Sequence, residues 1–471
     1  MSQEIAERKI IELKRKLANL DLEFTYWLDR SEKGRRFEKH QSQISAITTI
    51  LGKLHEGAQK RIKSAATTEE KLAVGRRAER MTLATHRIWE FFRSKFAQRK
   101  EARLRSYLAA ADEFAWTCYK PVRDLAAANH PTGFRKEPPL VFFNGGLSPF
   151  SISRDRAFEG EPVPNELLSG PEFSKVLSSL PVPVIGVPWH QVSHLPDALV
   201  IGHEVGHIVE NDFNLTPELK RRLQDALDAG GIDGSHHDAW REWLSEIFAD
   251  LYGCLAAGPA FAGSLMDFLA RDPQEVAQEK PVGGNYGKYP ATQLRMLINF
   301  AVLREIDFKE EAQELEQDWR AYYPSHQLTA FEPDVEKVVP ALLDATSPQL
   351  NQSSLKQIFR FSRDQQKEAE QTVGQITINR SLANSTDDFR VLFAAARLAY
   401  VKDSAAFVQR EYDKMILKRI GEVIKPGTRS GEKSLTAQQQ NSLKDQHATM
   451  GEEIFEQLWP AVGGSHQPTN L

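Results

Sequence analysis

The chain has 471 residues, 41% of them hydrophobic and 26% charged, with a formal net charge of −4. This balance excludes a disordered or collagen-like chain, and the length supports two or three domains. No apolar run of about 18 residues occurs, which excludes a membrane-spanning helix, and two cysteines, Cys118 and Cys254, are too few for a disulfide framework and are expected as reduced core residues.

Residues 1–127 are expected to form a helical region. Apolar positions recur at helical spacing in Ile10-Ile11-x-Leu13 and Leu17-x-x-Leu20-x-Leu22, and again over Ile44–Leu54, Thr68–Phe96 and Leu104–Ala127. Thr68-Glu69-Glu70 has the character of a helix start. The charged segment Met1–Lys9 lacks the apolar centre of a secretory leader, so a cytoplasmic location is expected. Over residues 1–120 Lys and Arg exceed Asp and Glu by ten (26 against 16), so the remainder is acidic. The stretch Arg87–Lys100 mixes basic and aromatic residues, a composition that can meet phosphates and stack on bases. No helix-turn-helix, zinc-finger or RNP string accompanies it. A helix with its aromatics inward accounts for the stretch better than a nucleic-acid surface. A partner protein docked on these N-terminal helices is a further expectation.

Residues 128–345 hold the chemistry. They open with Pro-, Gly- and Ser-rich sequence, including Pro162–Pro171, interrupted by a short strand at Leu140–Phe143. The segment Pro181-Val182-Pro183-Val184-Ile185-Gly186-Val187-Pro188 is β-branched and punctuated by proline, which predicts an edge strand. Next comes Leu199-Val200-Ile201-Gly202-His203-Glu204-Val205-Gly206-His207, which contains H-E-x-x-H. Two histidines four apart lie on one helix face and can converge on one metal ion, with Glu204 positioned to act on a water. Chance would produce this string on the order of 0.02–0.03 times in such a chain. Ala198–Ile201 and Ile208-Val209 make the helix apolar on several sides, and buried His and Glu side chains need partners.

A catalytic zinc takes three protein ligands and keeps one open position. The metzincin pattern is excluded, because its later Gly and His positions hold Glu210 and Phe213. Downstream, Trp240, Trp243, Leu244, Ile247, Phe248 and Leu251 recur at helical spacing, and Glu246 and Asp250 share a face of that helix. Glu246 is one candidate ligand, Asp250 with Glu246 as its support is another, and the adjacent loop histidines His236 and His237 are rivals.

With H-E-x-x-H followed by Glu246-x-x-x-Asp250, the chain resembles the gluzincin peptidases of the thermolysin-like clan, over about residues 180–300. It is similar to uncharacterised bacterial members that also carry a Gly-Pro-Ala-aromatic turn, here Gly258-Pro259-Ala260-Phe261. The resemblance implies Zn2+ held by His203, His207 and Glu246, with Asp250 bonded to the His203 ring. It implies Glu204 as general base in hydrolysis of an intracellular protein or peptide, with Val184–Val187 as an edge strand that pairs extended substrate. Such peptidases add an electrophilic donor from outside the two motifs. The Gly-rich loop Gly283–Pro290 offers Tyr286 and Tyr289, and Arg295 beyond it would pair with Asp250 or a substrate carboxylate. The related proteins carry His-Pro-Pro-x-x-x-Arg here, whereas this chain has Tyr289-Pro290-Ala291 and then Arg295. The absence of a Gly-x-Met-Glu-Asn string favours an endopeptidase.

Pro324 and Pro333 punctuate the end of this domain. Residues 346–471 are again expected to be helical, most firmly over Asp387–Ala405 and Ala406–Ile424, with a break at Lys425–Gly431 and disorder from Gly463. The expected fold is mainly α (α+β), a zincin-like core with a small edge-strand sheet between helical N- and C-terminal regions. A non-catalytic zinc-binding scaffold and a nucleic-acid-targeted regulatory protein are the alternatives to a peptidase.

Overall fold

The computed structural model describes residues 2–129, 136–152, 180–192, 194–279, 286–323, 327–378, 381–427 and 437–462. The stretches Pro162–Pro171, Gly283–Asn285, Pro324, residues 428–431 and the segment from Gly463, all singled out above, lie outside the described residues.

The N-terminal helices are α1 (Ser2–Ser31), α2 (Gln41–Ser64), α3 (Thr68–Ala97) and α4 (Ala102–Asn129). Helix α3 starts at Thr68, as the sequence suggests. Thr67 caps it, and Glu70 closes a capping box that satisfies two of the helix's orphan N–H groups. Strands β1 (Leu140–Asn144), β2 (Phe150–Ile152) and β3 (Val184–Pro188) follow. The chain continues through α5 (Ile201–Asp212), α6 (Thr216–Ala229), α7 (His237–Ala257), α8 (Pro259–Leu269), α9 (Thr292–Glu305), α10 (Lys309–Tyr322) and α11 (Glu332–Leu343). The last long helices are α12 (Arg363–Thr377), α13 (Phe389–Lys402), α14 (Tyr412–Val423) and α15 (Ala437–Ala461), and single helical turns join several of these. The protein is therefore mainly α with a small mixed sheet. Among the described residues no helix is long and apolar enough to cross a membrane.

The position of Val184–Val187 differs from expectation. The sheet order is β1-β3-β2, so β3 is the central strand: parallel to β1 with Leu140 opposite Val184, and antiparallel to β2 with Phe150 opposite Gly186. Over Val184–Gly186 a strand lies on each side, so that backbone is already paired and is not an open edge for a substrate. The prolines misled because they bracket the strand: Pro188 is its last residue, and Pro183 contributes only its carbonyl, which accepts from Leu140 N–H at 2.9 Å. The outer edge of β1 is closed by side chains. Gln98 both donates to and accepts from the backbone of Phe143 at 2.8 Å, Asp112 accepts from Val141 N–H at 3.2 Å, and Arg99 donates to the Val141 carbonyl at 2.6 Å. Such capping blunts an edge that would otherwise invite aggregation.

The sheet separates two cores. Alternation along the strands sends Leu140, Phe142 and Val184 to one face, where they pack with α1–α3 and α15. Val141, Phe143, Ile185 and Val187 face the other core, built by α4 and the helices from α5 to α14. In the first core Trp89, Phe92 and Phe96 are buried, so the aromatics of the basic stretch point inward. The sequence-level division at residues 127 and 346 does not coincide with these cores. Helix α4 packs with the motif-bearing helices, and α15, the last described helix, returns to pack along α2. Both cysteines are free and buried, and Tyr252 is a core residue whose hydroxyl donates to the Cys118 carbonyl at 2.7 Å.

Candidate metal centre

The two motifs meet because small residues let their helices approach. In α5 a side chain on Gly206 would lie 2.9 Å from Ala249 Cα and 2.8 Å from Tyr252 Cβ. One on Gly202 would lie 3.2 Å from Ala256 Cβ and 3.5 Å from Gly253 Cα. The glycines flanking H-E in Gly202-His203-Glu204-Val205-Gly206 thus form a seam against Ala249, Gly253 and Ala256 of α7, and the two helices run antiparallel across it. The next face round carries His203 and His207 on α5, and Glu246 and Asp250 on α7.

There, His203 Nε2 and His207 Nε2 stand 3.4 and 3.6 Å from the same oxygen, Oε2 of Glu246. The ligand atoms of the three residues all lie within 4.8 Å of one another, the one such His/Cys/Asp/Glu group among the described residues. Ligands about 2.0–2.2 Å from a tetrahedral zinc are separated by roughly 3.4 Å, so these spacings suit one ion. Glu246 is 1% exposed, and neither of its oxygens accepts a hydrogen bond of good geometry. A buried carboxylate in that state is costly without a cation. The charge it receives comes from Lys288, whose Nζ lies 3.0 Å from Oε1. Burial acts to raise the Glu246 pKa, but the two imidazoles outweigh it and hold the carboxyl well below its ordinary range.

Asp250 lies against the opposite nitrogen of the His203 ring. Its Oδ1 lies 2.7 Å from His203 Nδ1, leaving Nε2 to face the site. Arg295, from α9, grips Asp250 in a two-point pair at 2.6 and 2.8 Å, and Asn299 adds a longer contact at 3.3 Å. Burial works against ionisation of Asp250, but the Arg295 guanidinium prevails and lowers its pKa. Burial likewise pulls His203 down, yet Asp250 and Glu246 together raise it to about 9. Asp250 is thereby occupied by His203, Arg295 and Asn299, which leaves Glu246 as the carboxylate that faces both imidazoles.

Glu204 is 6% exposed and carries no hydrogen bond or ion pair to a described residue. Tyr289 stands beside this group, 54% exposed, with Lys288 Nζ 5.2 Å and Arg295 Cζ 5.8 Å from its ring centre. Its hydroxyl pKa is raised by burial and then by the Glu246 charge. Tyr286 is held elsewhere: its ring packs against Trp243 and Phe331, and its hydroxyl donates to the Ser235 carbonyl at 3.3 Å. The rival histidines are also engaged away from the cluster. His236 Nδ1 lies 2.7 Å from Asp334 with its ring stacked on Phe331, and His237 Nε2 meets the Ile232 carbonyl at 3.2 Å.

Three further residues were not foreseen from sequence: Lys288, Ser245 and Glu210. Ser245 Oγ lies 3.3 Å from His207 Nδ1 and donates to Glu210 at 2.7 Å. The available sequence signal was spacing, since Glu210 and Ser245 each sit within one turn of a motif residue. No family model matches this chain, and no curated protein or solved structure matches it.

Proposed function

We propose that this protein is a zinc-dependent peptidase in which His203, His207 and Glu246 hold the ion. The observation that carries the reading is the convergence of two imidazole nitrogens on one buried carboxylate oxygen that lacks a hydrogen-bond donor. Neutral imidazoles with one carboxylate, on a helix that also carries a buried glutamate, are the donor set of hydrolytic rather than purely structural zinc. When bound, zinc polarises a carbonyl and makes a water more acidic.

The chain's own residues supply the remaining steps. Glu204, one position after the first ligand and without a partner among the described residues, takes a proton from the attacking water and returns it to the leaving amine. Asp250 and Arg295 hold the His203 ring in place. Tyr289, half exposed beside Lys288, is the tyrosine placed to donate to the developing negative charge of a peptide carbonyl. The substrate on this reading is a peptide bond of a protein or peptide.

Glu204→Gln tests it. Zinc-loaded protein incubated with a peptide library should give fragments in mass spectra, chelation should abolish them, and the variant should keep its zinc while losing turnover by at least about a hundredfold. Undiminished cleavage by Glu204→Gln would contradict the assignment of the base. A wild-type chain that binds zinc yet cleaves nothing would favour a zinc-binding scaffold.

A further inference from the structure

The two histidines are supported differently. His203 is held directly by a carboxylate, Asp250. Among the described residues His207 has no carboxylate on its Nδ1. Its neighbour there is Ser245 Oγ at 3.3 Å, and Ser245 in turn lies 2.7 Å from Glu210 Oε2. The direction of these bonds follows from the donor inventory. The single Ser245 O–H is the donor to Glu210 Oε2, which accepts. The hydroxyl oxygen then has only lone pairs to offer His207, so Nδ1 carries a ring proton, and in the neutral imidazole that a metal requires this leaves Nε2 bare. The bare nitrogen is the one facing Glu246.

Glu210 is itself fixed. It is 3% exposed, it lies one turn after His207 on α5, and its Oε1 accepts from Thr216 Oγ1 at 2.9 Å at the first residue of α6. Ser245 immediately precedes Glu246 on α7, so one residue pair spans both helices that build the site. A buried carboxylate is expensive unless bonded, and here both of its oxygens receive hydroxyl donors from side chains.

We infer that Glu210 and Ser245 form a relay that sets the tautomer of His207 and keeps its Nε2 available as a metal ligand. Both are positioning residues: neither touches substrate, and each acts through the next. This rests on the zinc reading of the site. It adds an indirect second support beside the direct one made by Asp250, and it predicts that a serine and a glutamate outside the motif control metal affinity.

The test measures zinc affinity by chelator competition in full-length wild type, Ser245→Ala, Ser245→Thr and Glu210→Gln. It also measures solvent exchange of the histidine Nδ1 protons by NMR in the zinc-loaded proteins. Ser245→Ala removes the link, and Glu210→Gln can reverse its polarity by offering an N–H where the O–H pointed. Each should weaken zinc roughly ten- to a hundredfold and speed exchange of the His207 proton while leaving that of His203 slow. Ser245→Thr keeps the hydroxyl and should restore both properties, which a purely packing role for Ser245 would not predict. If wild type binds zinc and Ser245→Ala binds it equally well with unchanged proton exchange, the relay is wrong and the zinc site stands. If wild type binds no zinc, the reading of the site fails and the relay fails with it.

Discussion

At the residue scale, the partners of the buried charges explain which parts of the site the sequence revealed. His203, His207, Glu246 and Asp250 could be read because they sit at fixed helical offsets within two apolar helices. Arg295 could be read only as one of two options, and the structure places it on Asp250. Ser245 and Glu210 could not be read: a serine and a glutamate on helices look like solvent-facing residues until the facing helix is known. Tyr286 illustrates the converse, a plausible loop donor whose hydroxyl is already bonded to Ser235. A buried charge away from the site gives a pH prediction. Asp413, from α14, accepts from Leu195 N–H at 3.0 Å, at the start of the turn that leads into α5. Burial raises its pKa to about 6, against opposing pulls from that N–H and from His194, while Asp197 adds to the rise. A raised carboxyl favours the fold below its unfolded pKa, and that contribution is lost as pH climbs through the folded value. Asp413→Asn removes the cost of ionisation and keeps an acceptor for Leu195. Its stability relative to wild type should rise by about 1–3 kcal/mol between acidic and neutral pH in urea unfolding. A difference that stays constant across that range would show that Asp413 does not titrate this way.

At the scale of elements, the seam between α5 and α7 fixes the spacing of His203 and His207 from Glu246. Periodicity identifies both helices, but not that Gly202 and Gly206 are the contact surface, because a glycine in a helix has no polarity signal. Gly206→Ala puts a methyl group 2.9 Å from the Ala249 Cα, a backbone-borne atom that cannot swing aside. The helices must separate, at a cost of about 1–3 kcal/mol in unfolding measurements, and zinc affinity should fall along with stability. Gly202→Ala comes no closer than 3.2 Å, to Ala256 Cβ, and should be milder. Equal effects from the two would argue that the seam does not set the spacing. The strand prediction failed at this same scale for a physical reason. Proline within an apolar run signals an edge, but a proline at either end of a strand leaves both edges free to pair, as β3 does.

For the whole molecule, chain order and packing order part company. The sequence presents helices, then the motifs, then helices, and suggests three regions in a row. The structure folds them as two cores sharing one sheet, with α4 joined to the motif-bearing helices and α15 returned to α2. Periodicity reports which face of a helix is buried, not which distant helix buries it, so this closure could not be read. Ile454, Phe455, Leu458 and Trp459 of α15 are buried in the first core, and a side chain on Gly57 of α2 would strike the Phe455 ring at 2.7 Å. Truncation after residue 427 removes those four side chains, each worth roughly 1.5–3 kcal/mol of burial. The α1–α3 bundle should then unfold at clearly lower denaturant while the motif-bearing core persists. Unchanged unfolding of the truncated chain would mean that α15 is not part of the first core.

The central claim is that Glu246 completes a metal site begun by His203 and His207. Elemental analysis of tag-free wild type and Glu246→Ala, prepared with zinc supplied, tests it most directly. The account predicts about one zinc per wild-type chain and little or none in the variant. Equal zinc in both would place the third ligand elsewhere, and no zinc in wild type would contradict the metal centre altogether.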